Sequence, residues 1–594
     1  MKKMIFVVVV LVVGGVVAGR ADAAGADKKP ARTIAHISLS GSIPEGVGQD
    51  GLLADVSPRL HRIVERIDEA AIDARVKGVL LSIAGPEIGR GRMEEIIAAI
   101  ARVRKAGKPV AAHLVSGGPV PYCLAVACDT VSMPPAATLE ITGVRVEVTF
   151  FKAMLDTLGV DAEILQVGEF KGAGEPLTRT SMSPQLREQY EQFVGDLYEQ
   201  FVERVASARG LAAERARELV DIGVFTPETA MEAGLIDAVA YEDEVISGLA
   251  SQTNIDEPTV ARNYAAREVD SDFSGIGGMV KLFEMISGGG KKSSKSRNKR
   301  VAIVHLTGEI RDGKGTEGLL GGGGGGTDAV IKAIRDAAAD ASVAAIVLRI
   351  DSPGGSALAS DLIWREAERT HKPVVASLSD TAASGGYYVA VAADRIVAAP
   401  GTLTGSIGVV GGKIAVGEAL GKVGVHTDVV SKGRNAGWLS MQAPFTDHER
   451  EAFLATMKDV YRLFTSKVAD GRHLDSEKLT TLAEGRVFTG RMAKELGLVD
   501  RLGTLDDAVD EARQLAGLAA DDKLERILLP EPRGLFEDLF GQTGVEVAPV
   551  AKAAVLSFLT GLPGVDAFVE HLDALTLVTS GRPLMMLPAR IHVR

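Results

Sequence analysis

Apolar residues fall in two kinds of block along this chain. Val301–Leu306 and Ala345–Ile350 are short, continuously apolar and rich in β-branched residues, which predicts strands buried on both faces. Asp328–Ala339 and Ala357–Thr370 are longer and helical in composition, and each ends near a breaker or a Lys-Pro pair. Lys372-Pro373-Val374-Val375-Ala376-Ser377-Leu378 is the next strand. Strands alternating with helices predict βα units around a largely parallel sheet, an α/β fold.

The whole pattern occurs twice. Asp129 recurs as Asp394, Pro135 as Pro400 and Gly159 as Gly424, a constant offset of 265 residues. Lys108-Pro109-Val110 is echoed by Lys372-Pro373-Val374, and Gly234-Leu235-Ile236-Asp237 by Gly497-Leu498-Val499-Asp500. Drift of one or two residues is what small loop changes produce. The chain therefore reads as a tandem duplication over residues 30–255 and 300–515. A linker of residues 256–299 joins the copies, and residues 516–594 form a C-terminal extension. Within the linker, Ser287–Arg300 reads as a flexible basic tether. Gly321–Gly326 is a glycine run in a surface loop, without the lysine of a phosphate-binding loop. In the extension, Leu535-Phe536, Leu539-Phe540 and Phe558–His571 have helical spacing, while Pro583–Leu587 looks strand-like. That extension is expected to cover a face or to make a subunit contact.

The N-terminus adds a location. Lys2-Lys3 precedes the uncharged run Met4–Gly19, and Ala21-Asp22-Ala23 supplies a small-residue cleavage pattern. Such a run spans roughly 24 Å as a helix, short of a ~30 Å bilayer core. Residues 1–23 are expected to be a signal peptide or an uncleaved N-terminal membrane anchor, and either implies export. Composition then excludes classes. Hydrophobic residues at 46% and charged residues at 24% exclude wholesale disorder, and a net charge of −12 argues against a general nucleic-acid binder. Two cysteines cannot make a disulfide framework or a four-thiolate zinc site. Cys123 and Cys128 read as small core residues of one buried helix segment. His-Glu-x-x-His and Gly-x-Ser-x-Gly are both absent, and no metal or cofactor is expected. Ser296-Arg297-Asn298-Lys299 matches Ser-x-x-Lys by chance, in a tether that cannot desolvate its lysine.

Chemistry emerges where the copies diverge. The strand ending at Ile350 runs into Asp351-Ser352-Pro353-Gly354-Gly355, and a glycine pair there offers the free N–H donors of an oxyanion hole. The next strand leads to Ser384, flanked by small residues at a strand-to-helix turn, with the Gly385 amide beside it. In the first copy Glu87-Ile88 replaces the glycine pair and Pro119 replaces the serine. A serine hydroxyl needs a base. Gly168–Pro176 of the first copy places Lys171 among small residues, where the second copy has Ala436. A lone lysine beside glycines is more often a solvated surface residue, but complementary loss favours one Ser-Lys site shared by the copies.

Asp351–Gly355, Ser379–Tyr388, Thr404-Gly405-Ser406-Ile407-Gly408-Val409 and Phe170–Pro176 together resemble the signal peptide peptidase A type of S49 serine peptidase, in its long tandem form. The resemblance covers residues 30–515 and implies tandem ClpP/crotonase-like domains with a Ser-Lys dyad. It further implies Ser384 as nucleophile, Lys171 as general base and Ser406 as a hydrogen-bonding support for the lysine. Gly354, Gly355 and Gly385 would hold the oxyanion. Cleaved signal peptides would be the substrates, and a homotetramer on the periplasmic side of the cytoplasmic membrane the assembly. Lys171-Gly172-Ala173 departs from the more usual Lys-Ser-Ala, which removes a neighbouring hydroxyl but not the base. Two rivals remain: a crotonase-type acyl-transfer enzyme, which export disfavours because CoA is cytoplasmic, and an inactive scaffold of the same fold.

Overall fold

A computed structural model describes residues 33–46, 59–256, 258–266, 298–313, 326–520, 522–530 and 583–586. The expected export segment, most of the basic tether and glycine run, and the helical stretches of the extension lie outside the described residues.

In the first copy, β1 (Thr33–Ser42), β2 (Val76–Glu87), β3 (Val110–Ser116) and β4 (Thr130–Met133) are successive parallel neighbours. β5 (Leu139–Glu140) pairs with β7 (Val224–Phe225) in a small ribbon, and β6 (Asp161–Val167) leaves the sheet altogether. β8 (Ala238–Val239) and β9 (Thr259–Ala261) complete a six-stranded sheet in the order β8-β4-β3-β2-β1-β9. Three helices, α1 (Leu60–Ile72), α2 (Arg90–Lys105) and α3 (Pro119–Ala125), connect these strands. Ile63, Ile67, Ile96 and Ile100 face the core from α1 and α2.

The second copy repeats this order. β10 (Lys299–Thr307), β11 (Val343–Ser352), β13 (Val374–Ala383) and β14 (Arg395–Ala398) run parallel, with β18 (Arg501–Leu502) beyond β14 and β19 (Leu524–Leu529) beside β10. Side chains of β10 and β11 are buried almost without a break, because helices cover both faces of a parallel sheet. β15 (Leu403–Gly405) pairs parallel with the end of β13, and β17 (Val487–Thr489) pairs antiparallel with β15. Two sheets of one strand order make the chain a mixed α/β protein with two parallel sheets in tandem.

The copies do not sit apart. β16 (Val409–Ala415) of the second copy pairs antiparallel along its whole length with β6 of the first, from Val409 opposite Val167 to Ala415 opposite Asp161. β12 (Gly354–Ser356) and β20 (Leu584–Met586) join them in a four-stranded sheet of order β12-β20-β16-β6. The helix Pro184–Arg209 of the first copy lays Leu186, Tyr190, Phe193 and Leu197 against Ala383, Leu403 and Val487 of the second. Cys123 and Cys128 are free and buried. Only Cys123 lies on a helix, however, since α3 ends at Ala125 and Cys128 follows it in the turn.

Candidate active site

Ser384 lies between β13 and the helix Gly385–Ala390, with φ 54° and ψ −114°. That is the left-handed half of backbone space, uncommon for a residue with a Cβ and retained only where surroundings over-determine it. They do so here. The Ser384 amide donates to the Gly405 carbonyl at 2.7 Å, and its own carbonyl accepts from the Tyr388 amide at 2.8 Å. The small-residue run Ala382-Ala383-Ser384-Gly385-Gly386 is what admits so tight a turn. A Cβ on Gly386 would meet the Ser352 carbonyl at 2.8 Å, and one on Gly385 the Ser360 hydroxyl at 2.5 Å.

Lys171 arrives from the other copy. β6 ends at Val167, and the chain turns through Gly168 at φ +108° into a short 3-10 helix, Gly172–Gly174. This turn is moulded on residues 483–486 of the second copy. Phe170 N–H donates to the Glu484 carbonyl at 2.7 Å, Glu169 N–H to the Glu484 carboxylate at 3.0 Å, and the Arg486 guanidinium stacks on the Phe170 ring at 3.5 Å. Gly485 lies so close that a Cβ there would sit 2.6 Å from the Lys171 nitrogen.

The two side chains meet. Lys171 Nζ is 2.7 Å from Ser384 Oγ, and 2.8 Å from both the carbonyl and the hydroxyl oxygens of Ser406. Lys171, Ser384 and Ser406 are all fully buried. Burial pulls the Lys171 pKa well below the ordinary lysine value, because a cation there would lose its water. Only the uncharged amine, which burial favours, can accept a proton from a hydroxyl. Ser406 itself holds a positive φ of 53° and is anchored by its amide to the Arg486 carbonyl at 2.6 Å.

Gly354 and Gly355 adopt φ +102° and +154°, values that L side chains rarely adopt. They pack on the nucleophile turn, since a Cβ on Gly354 would lie 2.7 Å from Gly385 N and one on Gly385 3.2 Å from Gly355 N. The Gly354 amide donates to Ser352 Oγ at 3.2 Å. Lys171, Ser384, Ser406, Gly354, Gly355 and Gly385 thus lie in one cluster. Sequence reasoning missed the Gly485 cradle and the Gly405 carbonyl that holds Ser384. It also missed the place of Leu584–Met586, which runs antiparallel to Gly354–Ser356. Pro583–Leu587 had the composition of a strand, but nothing in its sequence identified its partner. Among the described residues no group of three or more His, Cys, Asp or Glu side chains could hold a metal ion.

The profile of peptidase family S49 matches residues 102–256 and again 366–519. "Serine protease SPPA, chloroplastic" of Arabidopsis thaliana is 32% identical over 89% of this chain and 76% of its own length. "Protease 4" of Salmonella typhi is 33% identical over 77% of this chain and 72% of its own, and that of Haemophilus influenzae 29% identical over 78% and 74%. The family profile matches in both copies and these relatives cover most of the chain, so the chain belongs to peptidase family S49 and is a peptidase.

Proposed function

We propose that this chain is a serine endopeptidase in which Ser384 is the nucleophile and Lys171 the general base. The observation that carries the reading is the 2.7 Å contact between Lys171 Nζ and Ser384 Oγ in a fully buried pocket. Neutral Lys171 takes the hydroxyl proton as Oγ attacks the scissile carbonyl, and Ser406 orients the amine through two of its oxygens. The oxyanion forms against backbone N–H groups of the glycine pair and Gly385. Gly354 would exchange its bond to Ser352 Oγ for the oxyanion. Lys171, now charged, protonates the leaving amine, and water then hydrolyses the acyl-enzyme on Ser384. A ClpP/crotonase-like architecture for residues 30–255 and 300–515 fits two parallel sheets with strand-end amides facing the reaction.

The substrate reading is cleaved signal peptides on the periplasmic side of the membrane, which the chain meets as an exported protein anchored by, or released from, residues 1–23. Leu584–Met586 supports apolar peptides, because an extended Leu-Met-Met segment lies along the glycine pair with the Leu584 and Met586 side chains clustered with Val410, Ile164 and Ala173. Strand addition of that kind is how an extended peptide would dock. No described helix is long and apolar enough to cross a membrane.

Internal symmetry supports the homotetramer. The counterparts of β16 and β6 at the repeat offset are residues 144–150 and 426–432, and neither belongs to a strand. Val144, Val146 and Val148 are half-buried between exposed Arg145, Glu147 and Thr149, a strand's alternation without a paired neighbour. Val429 is 65% exposed and Val430 fully so. The same antiparallel pairing between two chains sets Val144 opposite Lys432 and Phe150 opposite His426, and a homotetramer would be the ring in which its head-to-tail repetition closes after four copies.

Fluorophosphonate labelling joined to peptide turnover tests the dyad. Label should enter the wild-type protein and be absent from Ser384→Ala. Lys171→Ala and Lys171→Arg should each remove turnover, arginine because it stays protonated. Near-normal turnover in Lys171→Arg would overturn the assignment, and a wild type that neither labels nor cleaves peptides would favour the inactive scaffold.

A further inference from the structure

The first copy supplies more to the site than a lysine. β13 pairs with β11 in regular register up to Leu378 opposite Ile350, and pairing resumes with Ala382 opposite Ser352. Between these points Ser379-Asp380-Thr381 face the single residue Asp351, so β13 carries a bulge four residues before Ser384. A bulge bends its strand and re-aims the residues beyond it. Here those residues are Ala382 and Ala383, which pair with Thr404 and Gly405, and then Ser384, whose amide bonds the Gly405 carbonyl. The shape of the bulge therefore decides where Ser384 meets Lys171.

The bulge is held from the first copy, at the N-terminus of α2. The Asp380 carboxylate accepts from the Gly89 amide at 3.1 Å, from the Arg92 amide at 2.8 Å, and from Arg92 Nε. Arg92 Nη1 in turn donates to the Ile43 carbonyl at 2.7 Å. The approach is too close for side chains. A Cβ on Gly89 would lie 2.3 Å from Asp380 Cγ, and one on Gly91 2.4 Å from the Ser379 carbonyl carbon. Gly89 directly follows Glu87-Ile88, the residues aligned with the second copy's glycine pair, and Gly91 comes two residues later. The loop that shapes the oxyanion site in one copy thus docks onto the nucleophile strand in the other.

We propose that Asp380 and Arg92 are positioning residues: the α2 N-terminus of the first copy clamps the β13 bulge and so aims Ser384 at Lys171. Asp351 lies beside the clamp, where burial and then the neighbouring Asp380 charge push its carboxyl up to about 7. One guanidinium therefore serves a site with two carboxylates, and its loss leaves Asp380 with backbone donors alone. The inference rests on the dyad reading, and the experiment separates the two.

Arg92→Met, Arg92→Lys and Asp380→Asn would be made in the full chain, and kcat and KM measured per fluorophosphonate-titrated site. Arg92→Met and Asp380→Asn should lower kcat and the labelling rate about 10- to 100-fold with KM within about twofold, and Arg92→Lys should recover much of the loss. Asp380→Asn keeps the side-chain volume, so it carries the test if Arg92→Met fails to fold. Wild-type kcat and labelling rate in the folded variants, or a fall only in the number of titrated sites, would overturn the clamp. If Ser384→Ala and Lys171→Arg are inactive while the clamp variants are normal, the dyad stands and only this inference fails.

Discussion

At the scale of single residues, the proposed dyad rests on an amine that burial shifts toward its uncharged form. Activity should rise with pH through the depressed Lys171 pKa, since only the neutral form accepts the serine proton. Stability should carry the same sign. Below its ordinary pKa the unfolded chain's lysine binds a proton that the folded chain's lysine does not, so wild-type stability gains as pH rises across that interval. Relative to Lys171→Met, the wild-type protein should therefore gain in urea midpoint as pH rises from the depressed Lys171 pKa toward the ordinary lysine value. An unchanged gap over that range would mean that Lys171 is charged when folded. Ser406→Ala should be gentler than loss of either dyad member. It deletes the hydroxyl bond but leaves the carbonyl bond to Nζ, a cost of about 1–2 kcal/mol or roughly tenfold in turnover.

At the scale of elements, the contact between copies is a strand pair. Gly412 in β16 sits against β6 with no room for a side chain, since a Cβ would lie 2.1 Å from the Glu163 carbonyl. Gly412→Ala should force β6 away from β16 and carry Lys171 with it. Turnover should fall at least tenfold, and stability by about 2 kcal/mol from overpacking, read from urea unfolding. Strands such as β10 and β11 were legible in sequence because burial on both faces leaves continuous apolar runs. β6 and β16 were not, for a strand that joins another copy's sheet carries the same local composition as one that stays at home. The turn at Ser384 was legible through its flanking small residues, whereas the bulge at Ser379–Thr381 leaves no mark in hydrophobic pattern.

At the scale of the whole molecule, the in-chain pairing of β6 with β16 leaves two counterpart segments, 144–150 and 426–432, without strand partners. Charge placed on both should block assembly between chains while leaving the fold intact. Val146→Lys with Val430→Lys is expected to shift the mass measured by light scattering from oligomer to monomer. An unchanged oligomer would place the subunit contact elsewhere. Location has its own test: protease added to spheroplasts should digest the body of the protein, and full protection would count against export.

The sequence by itself determined the α/β alternation, the duplication and the residues held by only one copy, because these are matters of period, offset and local chemistry. It also pointed to a shared serine and lysine, since each copy lacks what the other keeps. Only the tertiary structure decided that Lys171 Nζ lies within hydrogen-bond reach of Ser384 Oγ and is cut off from water. That proximity joins residues more than two hundred positions apart, and it comes from the register of β6 on β16, the seat of Phe170 on Glu484 and the hold of α2 on Asp380. Desolvation, the physical cause of the amine's lowered pKa, is a property of everything packed around it, which no local stretch of sequence contains.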